Sequence, residues 1–80
     1  MKIPAIKKAV ETYSIEQLKA AEEALYNEQP IAIEVEGSDE GEQLTHIIAA
    51  IWILNEMQEK GIDFKDALRM YTQRVRKSIS

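Results

Sequence analysis

The chain has 80 residues, a formal net charge of −4 and no cysteine. A chain this short forms one domain, residues 1–80, and buries only roughly 60–65% of the surface it exposes when unfolded. With no cysteine, disulfides and thiolate metal sites are excluded as staples, which leaves helix packing or self-association to secure the fold. The acidic balance also argues against nucleic acid or an anionic membrane as the main partner.

The first helix is expected from about Pro4 to Thr12, with the proline in the first turn, where its missing N–H costs nothing. Ile3, Ile6, Val10 and Tyr13 recur at helical spacing and read as its apolar stripe. Ser14-Ile15-Glu16-Gln17 is a capping-box pattern that starts a second helix, with Tyr13 and Leu18 placed as a hydrophobic staple. Ile15, Leu18, Ala21, Ala24 and Leu25 follow as its buried stripe. The helix should stop near Asn27, because Pro30 disfavours helical geometry in the residue before it.

Ile31 to Glu36 then alternates apolar and other residues with period 2, the pattern of a half-buried strand. Ile31, Ile33 and Val35 form its inner face, and Glu34 and Glu36 guard the outer one with charge. A lone strand leaves backbone groups unpaired. The expectation is therefore a strand paired across a homodimer, with residues 1–3 as a short alternative partner within the chain.

Gly37 to Gly41 reads as a turn, with Ser38 or Asp39 capping a third helix and Glu40 and Glu42 opposing its N-terminal dipole. Leu44, Ile47, Ile48, Ile51, Leu54 and Met57 make one stripe of that helix, and Trp52 and Ile53 extend apolar surface to other sides. A helix apolar over so much of its circumference needs cover on several faces. Four short elements can hardly supply it, which again points to a second chain. Its longest apolar run, from Ile47 to Leu54, falls well short of the roughly 20 residues of a membrane span. Gly61 closes the helix, and Asp63 caps a fourth, striped by Phe64, Leu68, Tyr71, Val75 and Ile79 and basic in its last turns.

The chemistry-bearing residues are few. Glu34, Glu36, Asp39, Glu40 and Glu42 place five carboxylates in nine residues. Glu42 and His46 stand four apart on one helical face, so Asp39, Glu40, Glu42 and His46 form a candidate metal set. Their spacing does not match the calcium loop of an EF-hand or H-E-x-x-H. Helix capping, together with a partly exposed His46 paired to Glu42, accounts for them more simply. Nucleophilic catalysis has no support, because cysteine is absent and Ser14 and Ser38 are better used as caps. No glycine-rich phosphate loop is present.

Lys65, Arg69, Gln73 and Arg76 share a face of the fourth helix, a weak helix-turn-helix signal. Asp63 and Asp66 put the wrong charge at the end that normally meets base edges.

The run E-V-E-G-S-D-E-G-E-Q-L-T-H from Glu34 to His46, followed by A-A-I-W-I-L, resembles a small family of uncharacterised bacterial proteins of about this length. The opening K-I-P-A-I-K-K and the closing Y-T-Q-R-V-R extend the likeness over nearly the whole chain. The resemblance implies no activity and no catalytic residues.

The expected fold is mainly α: four helices with one short β-strand between the second and third. The expected function is that of a non-catalytic homodimeric interaction module; the alternatives are a metal-dependent enzyme or metal sensor using the acidic loop and His46, and weak helix-turn-helix DNA binding. Ile31, Ile33, Val35, Trp52 and Ile53 would form the dimer interface, and another protein could be a further partner. No cofactor, membrane or nucleic acid is expected. Lys2, Lys7 and Lys8 are followed by no uninterrupted apolar stretch, so no signal peptide is expected. The lack of cysteine fits a reducing cytoplasm.

Overall fold

The helical spacing produces four helices in the computed structural model, which describes residues 2–79. They are α1 (Ile3–Thr12), α2 (Ile15–Tyr26), α3 (Glu40–Lys60) and α4 (Phe64–Ile79). Met1, and the side chain of Ile79 at the end of the expected α4 stripe, lie outside the described residues.

α3 is the hub, and α1, α2 and α4 each pack against it. Ile6 and Val10 from α1, Leu18 from α2, Ile47 and Ile53 from α3, and Val35 from the α2–α3 connection meet in one continuous core. The helix faces that meet are rich in alanine: Ala9, Ala21, Ala49, Ala50 and Ala67 are all buried. Small side chains at the crossings let helix axes approach closely. The large residues of the expected stripes are partly displaced for the same reason. Ile3 is 47% exposed and Ile48 is 38% exposed, while Ala49 and Ala50 take the covered face of α3.

Helices on several sides thus give α3 the cover that was expected from a second chain. Ile53, expected at a dimer interface, has no exposed surface. It cannot reach another copy unless the fold opens.

The helix ends follow local chemistry. Ser14 and Gln17 form the reciprocal capping box at α2: Gln17 N–H donates to Ser14 Oγ at 3.2 Å, and Ser14 N–H donates to Gln17 Oε1 at 2.9 Å. Of the two candidate caps for α3, Asp39 takes the role and accepts from Glu42 N–H at 2.8 Å. Asp63 Oδ1 accepts from Asp66 N–H at 3.0 Å at the start of α4. Gly61 ends α3 at φ 63°, the left-handed geometry that glycine adopts without a Cβ penalty.

α2 ends in a way its sequence does not announce. Gln29 N–H donates to Ala24 C=O at 2.8 Å and Glu28 N–H donates to Leu25 C=O at 3.1 Å. That pair of bonds is a Schellman closure. Its left-handed position is held by Glu28, at φ 55°, where glycine is usual.

The expected β-strand does not form. The described residues contain helices but no strand or sheet, and Ile31 to Glu36 is an irregular connection. Its alternation is nevertheless real. Val35 is buried and Ile31 and Ile33 are half-buried, while Ala32, Glu34 and Glu36 are exposed. Period 2 here reports a chain lying flat on a helical layer, with one side in and one side out. It does not report a ladder, so the proposed pairing of this segment across a dimer falls with it.

Glu28→Gly should relieve the left-handed strain at the end of α2 and raise stability by about 0.5–1 kcal/mol. Thermal unfolding of the two proteins checks this, and an unchanged or lower midpoint would count against the assignment.

Candidate functional site

The one histidine occupies the centre of the molecule's polar wiring. His46 lies in the second turn of α3 and has no exposed surface. Lys2 backbone N–H donates to its Nε2 at 2.9 Å, and its Nδ1 stands 2.6 Å from Glu36 C=O. A backbone N–H can only donate and a carbonyl can only accept. The ring therefore carries its proton on Nδ1, donating to Glu36 while Nε2 accepts from Lys2.

Lys2 is also the N-cap of α1, and its carbonyl accepts from Ala5 and Ile6 N–H at 3.1 and 3.2 Å. One imidazole thus ties the start of α1 and the end of the α2–α3 connection to α3. The expected partly exposed His46 paired to Glu42 is replaced by a buried ring bonded to two backbone groups.

Other side chains complete the wiring of the connection. Tyr13 Oη donates to Glu34 C=O at 3.0 Å and accepts from Glu34 N–H at 3.1 Å. Gln43 Nε2 donates to Val35 C=O at 3.1 Å. Side chains from the α1–α2 junction and from α3 therefore do part of what a partner strand would do. Gly37 lets the chain press onto α3: a Cβ there would stand 2.7 Å from Gln43 Cγ and 2.8 Å from Gln43 N, both below contact distance.

The candidate metal set is not assembled. Asp39 is engaged as the α3 cap, and Glu42 Oε1 turns back to accept from Ser38 N–H at 3.2 Å. Glu40 is exposed in the first turn, and both nitrogens of His46 are bonded elsewhere. Among the described residues, no three His, Cys, Asp or Glu side chains come together as ligands.

The expected interface residues all contribute to the one core. Ile53 and Val35 are in the core, Ile31 and Ile33 line its edge, and Trp52 faces α4.

Trp52 stands where α3 meets α4. Its ring lies 5.6 Å from that of Tyr71, tilted by 53°, and the Arg74 guanidinium stands 6.0 Å from the Trp52 ring. These contacts open onto a groove of about 680 Å³ between α3 and α4, whose walls include Glu56, Lys60, Gln73 and Lys77. Glu56 Oε2 is buried and finds no neutral hydrogen-bond partner among the described residues. Lys60 Nζ, 2.9 Å away, supplies its counter-charge. Burial among these side chains pushes the Tyr71 phenol above its usual range. Among the described residues the groove's lining includes Lys60, paired with Glu56, together with Arg74 and Lys77, which also have interaction partners. Trp52 and Lys60 stand on one face of α3 and Gln73 and Lys77 on one face of α4, a spacing visible in the sequence. That two such faces would frame a single groove depends on how the helices cross.

Fold and site together define a small helical protein with a buried histidine bonded to two backbone groups and a tryptophan-lined groove between α3 and α4. The chain belongs to a family of unknown function (DUF6952), which matches residues 1–80. No curated protein and no solved structure matches it. No helix among the described residues is long and apolar enough to cross a membrane.

His46→Leu keeps most of the volume but leaves Lys2 N–H and Glu36 C=O without partners. It should cost about 2 kcal/mol, and Tyr13→Phe, at a more exposed junction, about 1 kcal/mol. Chemical denaturation of both variants tests the order. A His46→Leu protein as stable as the parent would show that the bridge contributes nothing.

Proposed function

We propose that this protein is a non-catalytic interaction module that works as a homodimer in the cytoplasm of a bacterium. The observation that carries the reading is the division of charge over the surface. Glu34, Glu36, Asp39, Glu40 and Glu42 crowd one short segment that contains no base. Lys65, Arg69 and Arg76 lie exposed along α4. Two opposite poles on one small chain favour association with a complementary surface, and a second copy offers both.

The state of His46 supports a non-catalytic role. Its ring is enclosed and both nitrogens are engaged by backbone, so it offers a substrate neither a proton nor a lone pair. The absence of cysteine accords with a reducing compartment. The bacterial source rests on the resemblance described above.

A second reading, DNA binding through α4, draws support from the exposed row Lys65, Arg69, Gln73 and Arg76. The Asp63 carboxylate at the start of that helix opposes it, since it would face phosphate.

Sedimentation equilibrium at tens of micromolar, in the range of ordinary weak dimers, should give a mass about twice the 9.1 kDa of the chain. A 9.1 kDa species at every loading concentration would defeat the homodimer. A retarded DNA band at low salt would favour the second reading instead.

A further inference from the structure

We propose that a second copy of this chain docks on the α2–α3 connection and the furrow between that connection and α1. The connection of each copy lies in the furrow of the other, and its Glu34 and Glu36 meet the other copy's Lys8. The inference rests on the homodimer reading and names its surface.

Shape is the first observation. Residues 30–36 cross α1 and α2 as a ridge with a furrow on each side. One furrow, of about 360 Å³, has Ala5, Lys8 and Ala9 of α1 as its far wall. The other, of about 280 Å³, has Ala20, Ala21 and Ala24 of α2. Ile33 lines both, so the two furrows flank the same stretch of chain. A ridge beside a furrow fits a copy of itself turned about a two-fold axis. Pro30 and Ala32 stand exposed on the ridge, and docking would take their apolar surface out of water.

Charge is the second. Lys8 is exposed on the α1 wall, and Glu34 and Glu36 are exposed on the ridge across from it. Among the described residues none of these three side chains takes part in an ion pair. Opposite charges on the two walls of one furrow, unpaired within the chain, are satisfied twice by a two-fold copy. Each Lys8 meets the other ridge, and each ridge meets the other Lys8.

The ridge is also already set. Tyr13 holds both backbone groups of Glu34, and Gln43 and His46 hold the carbonyls of Val35 and Glu36. A preorganised surface loses little freedom on docking. These bonds occupy backbone groups that a ladder would need, so the contact is made by side chains.

Charge reversal tests the face. Lys8→Glu gives the furrow carboxylates on both walls, and Glu34→Lys with Glu36→Lys gives it ammonium groups on both. All three positions are exposed, so helix content and melting temperature, measured alongside, should stay near the parent values. Each variant alone should self-associate about tenfold more weakly than the parent, or worse, because like charges then face each other. An equal mixture of the two should form a heterodimer at least as tight as the parent dimer. The protein carrying all three exchanges should dimerise again, and parent association should weaken as salt is added. On dilution of the parent, NMR shift changes should gather at Lys8, Ala32 and Ile33 and leave the Trp52 indole unmoved.

Variants as dimeric as the parent, or dilution shifts confined to α4, leave the homodimer standing and refute this face. A mixture that stays monomeric refutes it too. A parent that is monomeric throughout refutes the homodimer and the face together. Movement of its Lys8 and Glu36 signals on adding free leucine would then give the furrow to a small zwitterion instead. If a reversed variant loses helix content, Lys8→Gln and Glu36→Gln take its place. Their mixture regains one of the two contacts and should associate more tightly than either alone, and a mixture no tighter than its components counts against the face.

Discussion

The structure depends on one imidazole. His46 is enclosed by the core, yet it is not an apolar filler. It takes the amide of Lys2 on one nitrogen and offers a proton to the carbonyl of Glu36 on the other. Burying a polar ring is costly unless its hydrogen bonds are made, and here both are. The same bonds set the start of α1 and the end of the α2–α3 connection relative to α3. Three segments distant in sequence are registered by one side chain, which replaces part of the long-range wiring a sheet would supply.

This arrangement explains how an irregular segment is held on the helices without a strand partner. Tyr13, Gln43 and His46 address the backbone of residues 34–36 one group at a time. Meanwhile Ile31, Ile33 and Val35 cover the helical layer beneath. The segment adds apolar cover to a small protein whose core is rich in alanine. Each fully buried Ile or Leu contributes about 1.5–3 kcal/mol, so a lid that brings Val35 into the core matters in a chain of this size.

Much of the helical framework was legible in the residues. Ser14 with Gln17, Gly61, Asp63 and Pro30 act within a few residues of themselves, and local chemistry of that kind can be read locally. The end of α2 was placed correctly, but its Schellman closure was hidden because Glu28 stands where glycine would have announced it. Alternation over residues 31–36 does not distinguish a strand from the observed connection, because it states only which side is covered, and a helical layer covers a side as well as a sheet does. His46 was misread because its partners are backbone groups, 44 and 10 residues away, which no sequence pattern marks. The same limit applied to the candidate metal set: Asp39 and Glu42 were recognisable as capping residues, but the departure of His46 into the core was not. The α3–α4 groove was invisible because it depends on a crossing of two helices.

The most direct test of this account is the protonation pattern of His46, read by nitrogen-15 NMR on the folded protein. The account requires a neutral ring with its proton on Nδ1, in slow exchange with water, and a Lys2 amide coupled to Nε2. A ring protonated on Nε2, or one whose two nitrogens exchange freely with solvent, would contradict the bridge on which the rest of the structure is built.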